Sequence, residues 1–443
     1  MSARSASDKT FRMQQPASSA APTRAAADRA WRGPGMAEFV ALMAALMASN
    51  ALAIDSMLPA LPAIGDALGV AEDNRRQLVI TFYLFGFGAA QLLYGPLSDR
   101  FGRKWLLAGS LAAYGVFGLA AALVASFEAM LAVRFLQGVA AAATRVLVVS
   151  VVRDRFEGPA MARIMSMTMI VFMIVPVLAP SVGQGVLLVA DWRAIFFLLG
   201  GYGALLAIWM VVRLPETLSA ERRRPLSVRS IGEGVWTTLR IRQSIGNTAA
   251  QTLLMGALFA FINSIQQIIF DVFGRPELIG LVFACIAGPM AASSYANSRL
   301  VMRYGSRRLL LIALSCFTAV ALIHLAAAEA VGETLWMFVA FQAATMIFFG
   351  MIGANAGALA MEPLGHVAGT ASSVQGTITT IGGALIGFAI GQNFNGTTIP
   401  FLVGFTSCGS LALIVAWWAN RPPSRDTRDE ETVEEQELAS RPG

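Results

Sequence analysis

The chain has 443 residues, of which 56% are hydrophobic and only 14% charged, with a formal net charge of +6. An ordinary soluble domain carries about 25% charged residues, so this composition excludes a disordered protein, a nucleic-acid binder with a charged face and nearly any water-soluble enzyme. The charges lie between long apolar runs, and the chain reads as an all-α membrane protein that crosses the bilayer many times.

Residues 1–35, rich in Ala, Ser, Arg and Pro, hold no apolar run before Met36. They are expected to form a disordered tail rather than a cleaved signal peptide. Twelve apolar segments follow, at 37–58, 76–97, 105–125, 129–151, 164–188, 193–213, 246–270, 278–298, 309–328, 334–358, 367–391 and 399–419. A helical bilayer crossing needs about 20 mainly apolar residues. The runs are continuously apolar rather than alternating, which indicates helices and not barrel strands. Residues 421–443, with Asp429, Glu430 and Glu431, are expected to form a second, charged, disordered tail.

The longest internal polar stretch, 214–245, carries Arg222, Arg223, Arg224, Arg229, Arg240 and Arg242. It divides the spans into six-helix halves, 36–213 and 246–420, joined by a linker. Their similar lengths suggest an internal duplication, and Leu97–Lys104 is echoed by Leu300–Arg307 after the second span of each half. Cys285, Cys316 and Cys408 are scattered and give neither a disulfide framework nor a zinc pattern. With only His324 and His366, a histidine metal site is not expected, and His324 reads as a packing residue.

Lys and Arg set the orientation. With the N-terminus inside, the inner loops between spans hold seventeen Lys and Arg residues; the outer loops hold four, Arg75, Arg76, Arg193 and Arg275. Both termini are therefore expected in the cytoplasm.

Several strings carry chemistry. Gly95-Pro96-Leu97-Ser98-Asp99-Arg100-Phe101-Gly102-Arg103-Lys104 closes the second span at the inner face. Gly102 permits a tight turn, and Asp99 among arginines makes charge-assisted hydrogen bonds. Gly95, Asp99, Arg100, Gly102 and Arg103 are the candidate conformational latch. Arg134-Phe135-Leu136-Gln137-Gly138 opens span four, Val152-Arg153-Asp154 ends it, and Leu214-Pro215-Glu216-Thr217-Leu218 follows span six. Ile54-Asp55-Ser56-Met57-Leu58-Pro59 closes span one. Span five contains Ala179-Pro180-Ser181-Val182-Gly183-Gln184, where Pro176 and Pro180 predict a kink.

Over residues 37–420 these strings resemble the major facilitator superfamily, and within it the bicyclomycin/chloramphenicol-resistance (Bcr/CflA) branch of drug/proton antiporters. The resemblance implies the major facilitator fold, with substrate bound between two halves that rock about it. Pro176, Pro180 and Gly183 occupy the antiporter-type kink of that family, where Gln184 departs from the usual final glycine. It also implies roles for Asp55 and Arg134 in proton coupling.

Ionisable groups inside spans are costly and mark function by default. Asp55 and Arg134 lie near the outer ends of spans one and four, at similar depth. Arg145 is eleven residues after Arg134, hence on about the same helix face and some 16 Å further along. Arg145, Asn263 and Gln267 are candidate cavity residues, with pairing to a neighbouring helix or lipid as the competing role for Arg145 and helix–helix packing for the two amides.

The expected activity is proton-coupled export of a drug or small organic metabolite across the bacterial inner membrane by alternating access; uptake by uniport or proton symport is the alternative. The expected partners are the small-molecule substrate, protons and the lipid bilayer, with no nucleic acid and a monomeric transporter. No nucleotide cofactor is expected, since there is no Gly-x-x-x-x-Gly-Lys-Ser/Thr loop, and the proton gradient supplies the energy. No catalytic constellation is present in the spans, so the chain is not expected to be an enzyme. The orientation predicts that a cysteine at Ser227 is protected from an impermeant outside reagent while one at Asn395 reacts. The reverse pattern would invert the topology.

Overall fold

The computed structural model describes residues 33–421, apart from 157, 220, 222 and 224–227. The expected disordered tails therefore lie almost wholly outside the described residues. Twelve long helices account for the fold: α1 Met36–Asp55, α2 Leu78–Phe101, α3 Arg103–Leu123, α4 Phe127–Arg155, α5 Gly158–Leu187, α6 Arg193–Arg213, α7 Arg242–Gln267, α8 Ile279–Tyr304, α9 Ser306–Val331, α10 Leu335–Met361, α11 Ala368–Gln392 and α12 Ile399–Ala419. Among the described residues eleven are long and apolar enough to cross a membrane, and α5 is apolar over the shorter stretch Ile174–Leu187. There is no strand among the described residues.

Several helix ends lie a few residues from the sequence reading, and three of the differences have a clear physical reason. The first span was expected to reach residue 58, but α1 stops at Asp55. Pro59 and Pro62 supply no backbone N–H, and the chain continues as one 3-10 turn, Leu58–Ala60, and a short helix, Leu61–Ala67. The seventh span runs past Gln267 through a π-helical turn, Ile268–Val272. The linker at 214–245 contains a helix, Val228–Arg240, and α7 begins at Arg242. Val228, Ile231, Val235 and Leu239 recur at helical spacing on an otherwise polar segment. A search for continuous apolar runs passes over such a stripe.

The two halves repeat one packing scheme. In the first, α3 packs on α4 and α6, α2 on α4, and α1 on α5. In the second, α9 packs on α10 and α12, α8 on α10, and α7 on α11. Adding six to each first-half helix number gives the second-half pair, as an internal duplication requires. Between the halves, α2 packs on α11 and α5 on α8, and these two contacts exchange under the same rule. The repeated turn is visible in the backbone: Gly102 ends α2 at φ 93° and Gly305 ends α8 at φ 74°. A side chain at either position would be strained.

One end of the bundle carries the Val228–Arg240 helix, the start of α1 and the end of α12; it is the connector end, and the opposite is the far end. Within the first half, α2 and α4 touch backbone to backbone. A Cβ on Gly86 would lie 2.0 Å from the Phe135 carbonyl oxygen, and one on Gly138 would lie 2.0 Å from that of Tyr83. No rotamer change relieves a clash with backbone, so Gly86→Leu is expected to destabilise the fold by at least the roughly 1–3 kcal/mol typical of overpacking. Gly109→Ala, whose Cβ meets nothing within 4 Å, should leave the melting temperature unchanged. Thermal unfolding of the purified variants, followed by size-exclusion fluorescence, checks the difference.

Candidate functional site

Arg134, on α4, is wholly buried. Its donors meet main-chain and side-chain oxygens on three helices. Nη2 donates to the Ala53 carbonyl of α1 at 2.8 Å, Nε to the Val79 carbonyl of α2 at 3.3 Å, and Nη1 to Gln137 Oε1 at 2.6 Å. The guanidinium lies 4.4 Å from the Tyr83 ring centre and 5.8 Å from that of Phe196. A polar network extends from there: the Tyr83 hydroxyl donates to Asn50 Oδ1 at 3.0 Å, and Asn50 Nδ2 donates to Thr144 Oγ1 at 2.9 Å.

Asp55 ends α1 two residues beyond the carbonyl that Arg134 holds. Its side chain is buried, and its Oδ1 has no hydrogen-bond partner within the protein. Asp55 and Arg134 form no ion pair; the arginine positions the backbone leading to the carboxylate rather than the carboxylate itself. Asn263 on α7 is likewise buried, with both side-chain polar atoms unpartnered. Buried polar groups are nearly always hydrogen-bonded; among the few exceptions here, Asp55 is the one carboxylate and Asn263 the one side chain with both polar atoms unpartnered among the described residues.

Gln267, a candidate cavity residue, is bonded across the two halves. It belongs to an uncharged seal between the halves at the far end. Gln77 Nε2 donates to Gln267 Oε1 at 2.5 Å and to the Gly391 carbonyl at 3.2 Å. Gln267 Nε2 donates to Asn74 Oδ1 at 2.8 Å. Asn74 Nδ2 donates to the carbonyls of Gln392 and Phe394, both at 3.0 Å, and Gln392 Nε2 returns a bond to the Asn74 carbonyl at 2.6 Å. Further along α2, Gln91 Nε2 donates to Thr380 Oγ1 of α11 at 3.0 Å.

Helix α5 completes the seal. Pro176 and Pro180 lie inside it. A Cβ on Gly183 would lie 1.7 Å from the Ser56 carbonyl oxygen, so α5 meets the end of α1 directly beside Asp55. Gln184 Nε2 then crosses to the other half, donating to the carbonyls of Pro276 at 3.3 Å and Glu277 at 3.1 Å. The residue that departs from the family pattern therefore joins the two halves. Arg145 shows the opposite condition. It is exposed although it shares a helix face with the wholly buried Arg134. That face is closed toward the far end and open toward the connector end.

At the connector end the candidate latch is assembled around Arg103, which is almost completely buried. Its Nη2 lies 2.7 Å from Asp99 Oδ1 and its Nε 3.2 Å from Asp154 Oδ2, and it also donates to the Ser98 hydroxyl. Glu216 caps the start of α3, with Oε1 accepting from the Arg103 N–H at 2.9 Å and Oε2 from that of Lys104 at 3.2 Å. Thr217 Oγ1 donates to Asp154 Oδ2 at 3.1 Å. Gly102 leaves room for this cap, since a Cβ there would lie 2.5 Å from Glu216 Oε2. Gly95 faces Ser373 of the opposite half, where a Cβ would be 3.4 Å from Ser373 Oγ. Arg100 stands apart, exposed over the Phe101 ring.

Sequence reasoning did not find Asn74, Gln77 or Gln392. Their signal was present as amides flanking apolar spans, but only the fold shows that they converge. Asp154 and Glu216 appeared in quoted strings without a role. Gly391 is also diagnostic, because a Cβ there would lie 2.1 Å from Gln77 Oε1.

A profile of the Major Facilitator Superfamily matches residues 42–387 and 248–442. The chain is 28% identical to a bicyclomycin resistance protein homolog of Haemophilus influenzae, over 82% of this chain and 92% of that one. It is 31% identical to a chloramphenicol resistance protein of Pseudomonas aeruginosa, over 81% and 83% of the two chains. Its fold matches that of the xylose transporter XylE from E. coli in a partially occluded inward-open conformation, with a TM-score of 0.67 and 12% identity over 86% of this chain and 97% of that one.

The seal predicts the effect of a wedge. Gly391→Val should prevent closure at the far end, at a cost of about 1–3 kcal/mol, and shift the population toward a far-end-open state by about tenfold. A reporter cysteine at the buried Ser56, with the three native cysteines replaced, should then react about tenfold faster with an impermeant maleimide. An unchanged rate in a variant of normal melting temperature would show that these contacts do not hold the far end shut.

Proposed function

The chain belongs to the Major Facilitator Superfamily, and on that premise we propose that it is a proton-coupled exporter of a drug or small organic metabolite. It is a multi-pass membrane transporter and not an enzyme. In this reading it lies in the bacterial inner membrane with the connector end and both termini in the cytoplasm, and works as a monomer by alternating access. The resistance proteins among its relatives support export, and the arginine bias of the loops supports the orientation.

The observation that carries the proposal is Asp55: a buried carboxylate with an unpartnered oxygen, set beside the seal that must open and close. Burying an ionised carboxylate without a partner is expensive, and burying the protonated form is far cheaper. When the far end opens, Asp55 meets outside water and takes a proton. The neutral side chain can then be enclosed as Gly183 and the amide seal come together. Release of that proton to the cytoplasmic side leaves a buried charge, which favours reopening of the far end. Substrate that has entered from the cytoplasm is carried outward in that step. The proton gradient drives the cycle, and no other cofactor takes part.

Arg134 contributes by fixing the α1 backbone through Ala53. Arg145, on the open part of the same α4 face, is placed to meet a carboxylate or other anionic group on the substrate. Asn263 offers an amide to a neutral polar group. Opening and closing at the cytoplasmic end falls to the Asp99–Arg103–Asp154 latch.

Asp55→Asn keeps the size of the side chain and cannot change charge. It should abolish pH-gradient-driven substrate accumulation in everted vesicles while the protein remains folded and inserted, and downhill exchange should survive. A compound screen with a pH-sensitive dye identifies the substrate for this measurement. Retention of gradient-driven accumulation by the variant would remove Asp55 from the coupling step.

A further inference from the structure

The connector end presents a second constructed surface, outside the path between the halves. The first turns of α7 and the end of α12 are locked together. Asn247 Nδ2 donates to Asn420 Oδ1 at 3.2 Å, and Asn420 Nδ2 donates back to Asn247 Oδ1 at 2.9 Å. A Cβ on Gly246 would lie 2.4 Å from the Ala419 Cβ, so the two helices are in close contact. Arg242 also donates to the Trp418 carbonyl at the end of α12.

This platform displays arginines stacked on tryptophans. Arg242 lies 5.0 Å from the Trp418 ring centre and Arg421 lies 3.4 Å from that of Trp417. At the end of the Val228–Arg240 helix, two residues before Arg242, Arg240 lies 5.8 Å from the Trp236 ring centre. Trp236, Trp417 and Trp418 are 64%, 51% and 46% exposed, and all three arginines are exposed. None of the three guanidiniums has a carboxylate within 4 Å among the described residues. Glu362, which reaches the same corner, accepts from Gln243 Nε2 at 2.6 Å instead.

Three features select the partner. Exposed tryptophans at the ends of membrane spans settle at headgroup depth. A guanidinium held over a ring keeps N–H groups for phosphate oxygens, all of them at Arg421 and those besides the Nη2 bond to Trp418 at Arg242. The positive charge without acidic partners attracts an anionic leaflet. We propose that Arg240, Arg242 and Arg421, backed by Trp236, Trp417 and Trp418, form a binding site for the phosphate headgroup of an anionic phospholipid. A lipid held there fastens the connector helix to the α7–α12 edge of the second half. The site does not depend on the transported substrate or on proton coupling.

The test is native mass spectrometry of the full-length protein in detergent with equimolar phosphatidylglycerol and phosphatidylcholine. The wild type should retain phosphatidylglycerol in preference. Arg421→Gln, which removes a guanidinium that bonds no other helix, should lower that preference about fivefold, and Arg242→Gln/Arg421→Gln about 25-fold, at roughly a factor of five per charge. Arg307→Gln/Arg308→Gln removes the same charge at the same end of the bundle and should leave the preference unchanged. Equal losses in the two double variants would reduce the effect to general charge attraction and overturn the site. Absence of preference in the wild type would overturn it as well. Were that preference to appear only after Asp429→Asn/Glu430→Gln/Glu431→Gln, the occupant would be the acidic C-terminal segment and not lipid.

Discussion

The arrangement of the first half depends on a charge with no countercharge. Arg134 is wholly buried where α1, α2 and α4 meet, and no carboxylate pairs with it. Taking a guanidinium out of water costs several kcal/mol. Here the cost is offset by three charge-assisted hydrogen bonds and the Tyr83 and Phe196 ring faces. Because two of the acceptors are main-chain carbonyls, the interaction fixes backbone rather than another side chain. A mechanical path follows from it. The Ala53 carbonyl sets the end of α1, which sets Asp55 and the Ser56 carbonyl. Gly183 of α5 packs on that carbonyl, and Gln184 reaches across to Pro276 and Glu277.

The two halves share a packing scheme but not a chemistry. Gly102 and Gly305 make the same turn, and Arg100 and Lys104 recur as Arg303 and Arg307, yet the paired Asp99 and Arg103 have no charged counterparts. In the echoed strings Asp99 corresponds to Met302 and Arg103 to Ser306. The first half therefore carries the ionic assembly of the connector end, while Glu362 at the end of α10 is bonded to Gln243 instead. Duplication supplied the frame, and the chemistry diverged on it. The hydrogen bonds of the far-end seal draw on both halves and run between amides and carbonyls.

Much of this was legible in the sequence because bilayers impose coarse rules. Apolar run length gave the twelve spans, and the polar interruption gave the division into halves. The π-turn after Gln267 and the break after Asp55 were less legible, since both depend on how particular backbone groups are satisfied. The Val228–Arg240 helix escaped because its apolar stripe is periodic and not continuous. Single residues showed a sharper limit. Arg134 and Arg145 share a face and read alike, but one is enclosed by packing and the other exposed. Asn263 and Gln267 also read as a pair, one turn apart. In the structure one is without a partner and the other is bonded across the halves. Periodicity gives direction around a helix; it does not give the distance to the helix opposite.

The uncharged hydrogen bonds of the far-end seal bear on the proposal that one proton governs it. A neutral hydrogen bond contributes a net of about 0.5–1.5 kcal/mol, because water replaces it when it breaks. Some half-dozen such bonds from Asn74, Gln77, Gln267 and Gln392 therefore contribute only a few kcal/mol to closing the far end. The cost of enclosing an ionised, unpartnered carboxylate is of the same order, several kcal/mol. In the proposed cycle the two quantities are of similar size, so the protonation state of Asp55 biases whether the seal forms. A far end closed by buried ion pairs would have bound its own charges in place, and removing one proton from Asp55 would not have outweighed them. The proposed export cycle, which opens and recloses the same surface at every turn, is served by contacts of this strength.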